Sequence, residues 1–207
     1  MFEGPVCCRC KRLVSYRKKI AQQYPDYHCR PVEAFGVKAP RLLIVGLAPG
    51  LHGANATGRP FTGDASGKVL FETLYKFAFA SHASSQVGDD MQLHQCRITN
   101  AVKCLPPENK PLGAEVNTCN TYLKQEIAEL KPGAIILALG GIAHKAILKA
   151  CGLPLNNHQF GHDKVHQLEN KLQLIDSYHC SRYNIQTGRL NTQMFERVFQ
   201  RISAIEP

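Results

Sequence analysis

The chain has 207 residues and 44% hydrophobic content, enough to fill one core, and no apolar run reaches the ~18 residues that a bilayer span requires. Lysine and arginine number 25 against 16 acidic residues, a formal net charge of +9, and such a field suits a polyanionic partner because basic clusters release counterions from phosphates. Nine cysteines follow a start, MFEGPVCCRCKR, that lacks a signal peptide's apolar stretch, so a cytoplasmic location is expected, with metal ligation or reactive thiols rather than disulfides.

Cys7, Cys8 and Cys10 sit in a basic head, CCRCKRLVSYRKK, leading into a helix from about Leu13 to Gln23. The C-x-x-C spacing of Cys7 and Cys10 suits a redox pair or half of a metal site. Cys29 to Pro40 reads as an irregular linker. Arg41 to Val45 is the most strand-like run, and Gly46 to Asp64, GLAPGLHGANATGRPFTGD, follows it with five of the sixteen glycines. Small residues after a buried strand let backbone approach a ligand, and His52, Asn55, Thr57, Arg59, Thr62 and Asp64 decorate a loop too long for a connector. Phe61, a large aromatic in a polar loop, needs something to pack against. Two nucleotide motifs are excluded. GDASGKV is one residue short of a P-loop, with Val69 where a metal-binding hydroxyl belongs, and GLAPGLHG lacks the G-x-G-x-x-G spacing.

Four apolar runs recur, RLLIVG at Arg41, CRITNAV at Cys96, AIILALG at Ala134 and LQLIDSYH at Leu172. Helical patterns cover about Gly67 to Ala80, Ala114 to Leu130, Ile142 to Cys151 and Asn191 to Ile205. This alternation predicts an α/β fold of three α/β/α layers around a central, mainly parallel four-stranded sheet. The histidine-rich segment Asn156 to Lys171 breaks the pattern and offers a hairpin strand before Leu172. Open parallel sheets bind ligands beyond the carboxyl ends of their strands, so the Gly46 loop, Asn100, the Gly140-Gly141 turn and the His179 loop should converge. Cys104 and Cys119, spaced C-x14-C, join Cys7 and Cys10 as four thiolates that could hold a [4Fe-4S] cluster or structural zinc. Cys8, Cys29, Cys96, Cys151 and Cys180 read as small hydrophobes or spare thiols.

With the Gly46 loop, TNAVKC, the paired cysteines and HCSRYN in place, the chain resembles the family 5 iron-sulfur uracil-DNA glycosylases over nearly its whole length. GLAPGLHGAN with RPFTGD corresponds to the first motif, and HCSRYN stands for the family's H-P-S-x-x-N. The absence of an acidic residue from Leu47-Ala48-Pro49-Gly50 separates it from family 4. Cys180 replaces a proline, which should loosen the second-motif loop, and Ala56 replaces a frequent arginine, removing a phosphate contact.

The resemblance implies one domain over 1–207, with a cysteine-bearing segment (about 1–40) packed on it, and a structural [4Fe-4S] cluster on Cys7, Cys10, Cys104 and Cys119 without a nucleotide cofactor. It implies a monofunctional glycosylase of base excision repair, monomeric and off the membrane, whose partner is DNA containing deaminated bases. Asp64 and His179 are the expected catalytic residues. Gly46, Ala48, His52, Asn55, Phe61, Asn100, Ser181 and Asn184 are the expected substrate contacts. Such an enzyme flips its base into a pocket. Phe61 would stack on the base, Asn100 would read its edge, His179 would donate to the leaving base, and Asp64 would orient water and stabilise the cationic sugar. The competing role for Asp64 is capping the following helix. Neither motif holds a lysine, which disfavours a Schiff base. Arg182, Tyr183 and Ile185 are candidates to fill the space vacated by the base, and Lys145, Lys149, Arg182 and Arg189 are expected near the mouth. A non-catalytic iron-sulfur DNA-binding protein and a hydrolase of free nucleosides or nucleotides are the alternatives.

Overall fold

The computed structural model describes residues 7–205, so residues 1–6 and 206–207 of the expected domain lie outside the described residues. The four apolar runs become adjacent parallel strands β2 (Leu42–Gly46), β3 (Cys96–Asn100), β4 (Ile135–Leu139) and β6 (Gln173–Ser177). Two short antiparallel edges complete the sheet, β1 (Phe35–Gly36) beside β3 and β5 (Val165–Gln167) beside β6. The order is β1-β3-β2-β4-β6-β5. Six strands therefore replace the expected four. β5 is the anticipated hairpin strand, whereas β1 lies within the stretch read as irregular, because two residues are too few to show a period.

Seven α-helices are described: α1 (Lys11–Gln23), α2 (Ala54–Thr57), α3 (Ala65–Lys76), α4 (Gly113–Ala128), α5 (Gly141–Ala150), α6 (Arg182–Gln186) and α7 (Thr192–Ala204). None is long and apolar enough to cross a membrane. Strand alternation sends Leu42 and Ile44 to one face, packed with Leu70, Phe71, Phe195 and Phe199 from α3 and α7. Leu43 and Val45 point the other way, among Leu123 and Ile127 of α4 and Ala143, Ala146 and Ile147 of α5. Both faces are thus covered, which is why these strands read as unbroken apolar runs. Arg41 donates to the carbonyls of Ile202 and Ile205, pinning the end of α7 beside the start of β2.

Candidate active site

The carboxyl ends of β2 and β3 meet where Gly46 pairs with Asn100. A Cβ on Gly46 would lie 2.5 Å from Asn100 Oδ1 and 2.7 Å from Phe61 Cζ. Only glycine admits both groups there. Asn100 is 3% exposed and makes no side-chain hydrogen bond among the described residues, so its amide is available to a ligand. Phe61 is buried at φ +58, a strained backbone for a bulky residue. Its ring stacks on that of His179, centroids 5.9 Å apart and planes 23° apart. These groups line a cleft of about 610 Å³ together with Ala48, His52, Asp64 and Ser181, a size suited to a small ligand. Gly140 and Gly141, where α5 begins, form part of the same wall. The convergence expected at the strand ends is present.

Asp64 sits at the N-cap of α3, where Oδ1 accepts from the Gly67 amide at 2.8 Å. Its other oxygen lies against the cleft wall, since a Cβ on Gly53 would come within 2.7 Å of Oδ2. One carboxylate thus supplies both a cap and a negative edge to the cleft. His179 follows β6 and lines the same cleft. Burial pushes its imidazole below the ordinary 6.5, with the Asp64 charge opposing the shift. The ring therefore enters the neutral range uncharged, and its Nδ1 has no partner among the described residues.

Three expected substrate contacts are absent from the cleft lining. Gly46 lies beneath Asn100 and Phe61. Asn55 is fully buried, its side-chain amide donating to Cys29 Sγ at 3.5 Å and its backbone carbonyl accepting from the Cys29 amide. It fastens the glycine-rich loop to the residues after α1. Asn184 donates to the His179 carbonyl at 2.8 Å, holding the histidine from behind, while Ser181 Oγ caps α6 by accepting from the Asn184 amide. His52 lies 2.9 Å from the Tyr27 hydroxyl and edge-on to Tyr24 and Tyr27. Arg59 points away from the cleft, onto the Phe35 ring and Asp89. Cys180 does not loosen its loop, for it is wholly buried with Sγ 3.5 Å from the Ser66 carbonyl, tying the second motif to the first turn of α3.

Of the wedge candidates, Ile185 packs against the core and Tyr183 is 70% exposed on α6. Arg182 lines the cleft, Lys145 and Lys149 line a neighbouring groove that shares Ile142, and Arg189 lies over the Tyr178 ring. Asn109 also lines the cleft, and the sequence reading missed it. The available signal was an asparagine between prolines in the loop beyond β3.

A buried hub sets the two cleft loops against each other. Asp176 Oδ1 lies 2.7 Å from His144 Nδ1, and Oδ2 accepts from His166 Nε2 at 3.0 Å and from the Gly161 amide at 3.3 Å. His144 Nε2 is 2.7 Å from the His158 carbonyl. Both nitrogens of His144 thus face oxygen atoms. The hub joins the first turn of α5 to β6, three residues before His179.

Cys7, Cys10, Cys104 and Cys119 gather with Leu13, Val102 and Tyr122 between α1, α4 and the residues after β3. As free thiols, burial pushes Cys104 up to about 12 and Cys119 to about 11. Polar hydrogens already point at these sulfurs: Arg17 Nη1 toward Cys104 at 3.5 Å, the Lys103 amide toward Cys119 at 3.3 Å, and the Tyr122 hydroxyl toward Cys7 at 3.3 Å. Such donors stabilise sulfur carrying negative charge. Cys8 is exposed.

The family model described as Uracil DNA glycosylase superfamily matches residues 33–203. A type-5 uracil-DNA glycosylase of Thermus thermophilus is 42% identical over 197 residues, covering 93% of this chain and 90% of that one. The type-5 enzyme of Pyrobaculum aerophilum is 39% identical, covering 96% and 88%. A type-4 enzyme of the same organism is 44% identical over only 112 residues, covering 54% and 50%.

Proposed function

The chain belongs to the uracil DNA glycosylase superfamily, with type-5 relatives along nearly its whole length, and from that premise we propose how its cleft works. The protein is a DNA glycosylase that hydrolyses the N-glycosylic bond of uracil in DNA. The observation carrying the mechanism is that Asp64 and His179 line one cleft together with Asn100 and Phe61. A flipped base would stack on the Phe61 ring while the free amide of Asn100 reads its edge. As the bond breaks, positive charge builds on the sugar and negative charge on the base. Asp64 Oδ2, left over from capping, would stabilise the first and orient the attacking water. Neutral His179 would donate to the second. Water adds its hydroxyl to the sugar carbon, and the base departs with the bonding pair and regains a proton. No lysine lines the cleft among the described residues, which supports hydrolysis without a Schiff base. Ala48, His52 and Ser181 are the other proposed contacts, whereas Gly46, Asn55 and Asn184 support them from behind.

The four cysteines would hold a [4Fe-4S] cluster that cross-links the N-terminal segment to the strands. Among the described residues, the only three potential ligand atoms within 4.8 Å of one another belong to His144, His166 and Asp176. No three of the sulfurs stand that close, whereas one tetrahedral zinc with Zn–S bonds of about 2.3 Å draws them to about 3.8 Å. The wider spacing favours a multi-metal cluster. The protein would act as one domain and a monomer, since one chain supplies every wall of the cleft, and nine free cysteines suit the reducing cytoplasm. Hypoxanthine, xanthine and other deaminated bases are proposed further substrates. Comparing uracil release from duplex DNA and from deoxyuridine tests the reading: release from duplex alone is expected, whereas cleavage of the nucleoside alone would mark a nucleoside hydrolase and release from neither a binding protein.

A further inference from the structure

Asp176 joins two histidines from different elements at a point closed to solvent. His144 comes from α5, His166 from the three-residue β5 and Asp176 from β6, with side chains 2%, 5% and 0% exposed. One nitrogen from each ring and one carboxylate oxygen lie within 4.8 Å of one another. The His158 carbonyl, 2.7 Å from His144 Nε2, can only accept, so that nitrogen carries a hydrogen. In the neutral ring Nδ1 then turns a lone pair on Asp176 Oδ1 at 2.7 Å, and an acceptor facing an acceptor needs something positive between them. A shared proton meets that need, and so does a metal cation.

The surroundings fit the cation. Bonds of about 2.1 Å set at right angles separate neighbouring ligand atoms by about 3.0 Å, close to the 2.7 and 3.0 Å from Asp176 to His144 and His166. A metal-bound imidazole usually donates its other N–H to a carbonyl or carboxylate, the contact that His144 makes with His158. The carboxylate is held in turn by the Gly161 amide at 3.3 Å. Between α5 and β5 the chain forms no helix or strand, which leaves a way in that breaks no regular element. We propose that His144 Nδ1, His166 Nε2 and the two oxygens of Asp176 bind one zinc ion, separate from the four-cysteine centre. Imidazole with carboxylate suits zinc better than magnesium or calcium, which take oxygen. The ion would pin β5 and the loop before it to β6 and α5, and the inference does not depend on the glycosylase reading.

The test uses the whole iron-loaded protein, so that the cysteines are occupied, exposed to zinc sulfate and then desalted. One zinc per chain is expected to remain beside the iron. Its X-ray absorption should show nitrogen and oxygen neighbours at about 2.0 to 2.2 Å and no sulfur at about 2.3 Å. Zinc should also raise the melting temperature, because it binds only where the three residues meet, and magnesium should not. His166→Gln keeps a donor for Asp176 but removes a ligand. It should weaken zinc binding by at least about 100-fold, the upper end of what losing an outer partner alone costs, with the iron content unchanged. A parent that keeps no zinc overturns the inference, as does zinc with sulfur neighbours or zinc held equally well by His166→Gln. Should that variant fail to fold, the zinc content and neighbours of the parent decide by themselves.

Discussion

At the scale of single residues, the two charges of the cleft can be separated by substitution. Asp64→Asn retains an oxygen to accept from the Gly67 amide and so keeps the cap, for asparagine caps as well as aspartate. Excision should fall about 10²- to 10⁴-fold while the melting temperature holds. A variant that excises at the parent rate would leave Asp64 as a cap only. Removing His179 as alanine should cost about 2.7 to 4 kcal/mol of transition-state stabilisation, measured by single-turnover excision and largest for the poorest leaving base. Because burial lowers the His179 pKa beneath 6.5, the folded chain binds fewer protons than the unfolded one between those two values. Its stability is complete above 6.5 and declines as pH falls through that window. Excision should be level from pH 8 to 6.5 and drop below, and an inflection above 6.5 would show that the charged ring does the work. That Asp64, Asn100 and His179 line one cleft was legible because motif and strand end coincide. Asn55 and Asn184 lie outside the cleft lining, because asparagine binds backbone or sulfur as readily as a base, and sequence does not tell which way the side chain points.

Elements were legible where a period was long enough to read. The four parallel strands and the helices α3, α4, α5 and α7 fall within a few residues of expectation; β1 and the short α2 and α6 are tertiary in origin and left no pattern. The Asp176 hub was equally hidden, since its histidines come from α5 and β5 and meet only in the fold. Asp176→Asn strips a buried charge from between two histidines and should destabilise the protein by about 3–5 kcal/mol, read by denaturant titration. An unchanged midpoint would mean that the hydrogen bonds hold the hub without the charge. The four-cysteine centre joins α1, α4 and the chain after β3. Cys104→Ala should therefore bleach the brown colour expected of anaerobically purified protein and lower the melting temperature together. A colourless parent carrying one zinc would replace the cluster with a single ion.

For the whole molecule, the +9 charge makes affinity for undamaged duplex a phosphate affair, and its logarithm should fall against log salt with a slope of about −0.9 per phosphate neutralised. Salt-independent binding would refute that. Charge was legible in composition; its placement was not, as Arg59 and Arg189 lie over aromatic rings. The sheet's borders carry another consequence. β2 bonds to β4 across roughly ninety intervening positions, as the pairing of Leu42 with Ile135 illustrates, and such non-local parallel pairing forms slowly and leaves strands open during assembly. Once formed, the sheet ends in antiparallel borders of only two and three residues, with the Arg59 guanidinium 4.5 Å from the Phe35 ring on one of them. A border that short and that closely covered offers little template for another chain's strand, so the finished protein should resist edge-to-edge aggregation at concentrations where its refolding chains precipitate.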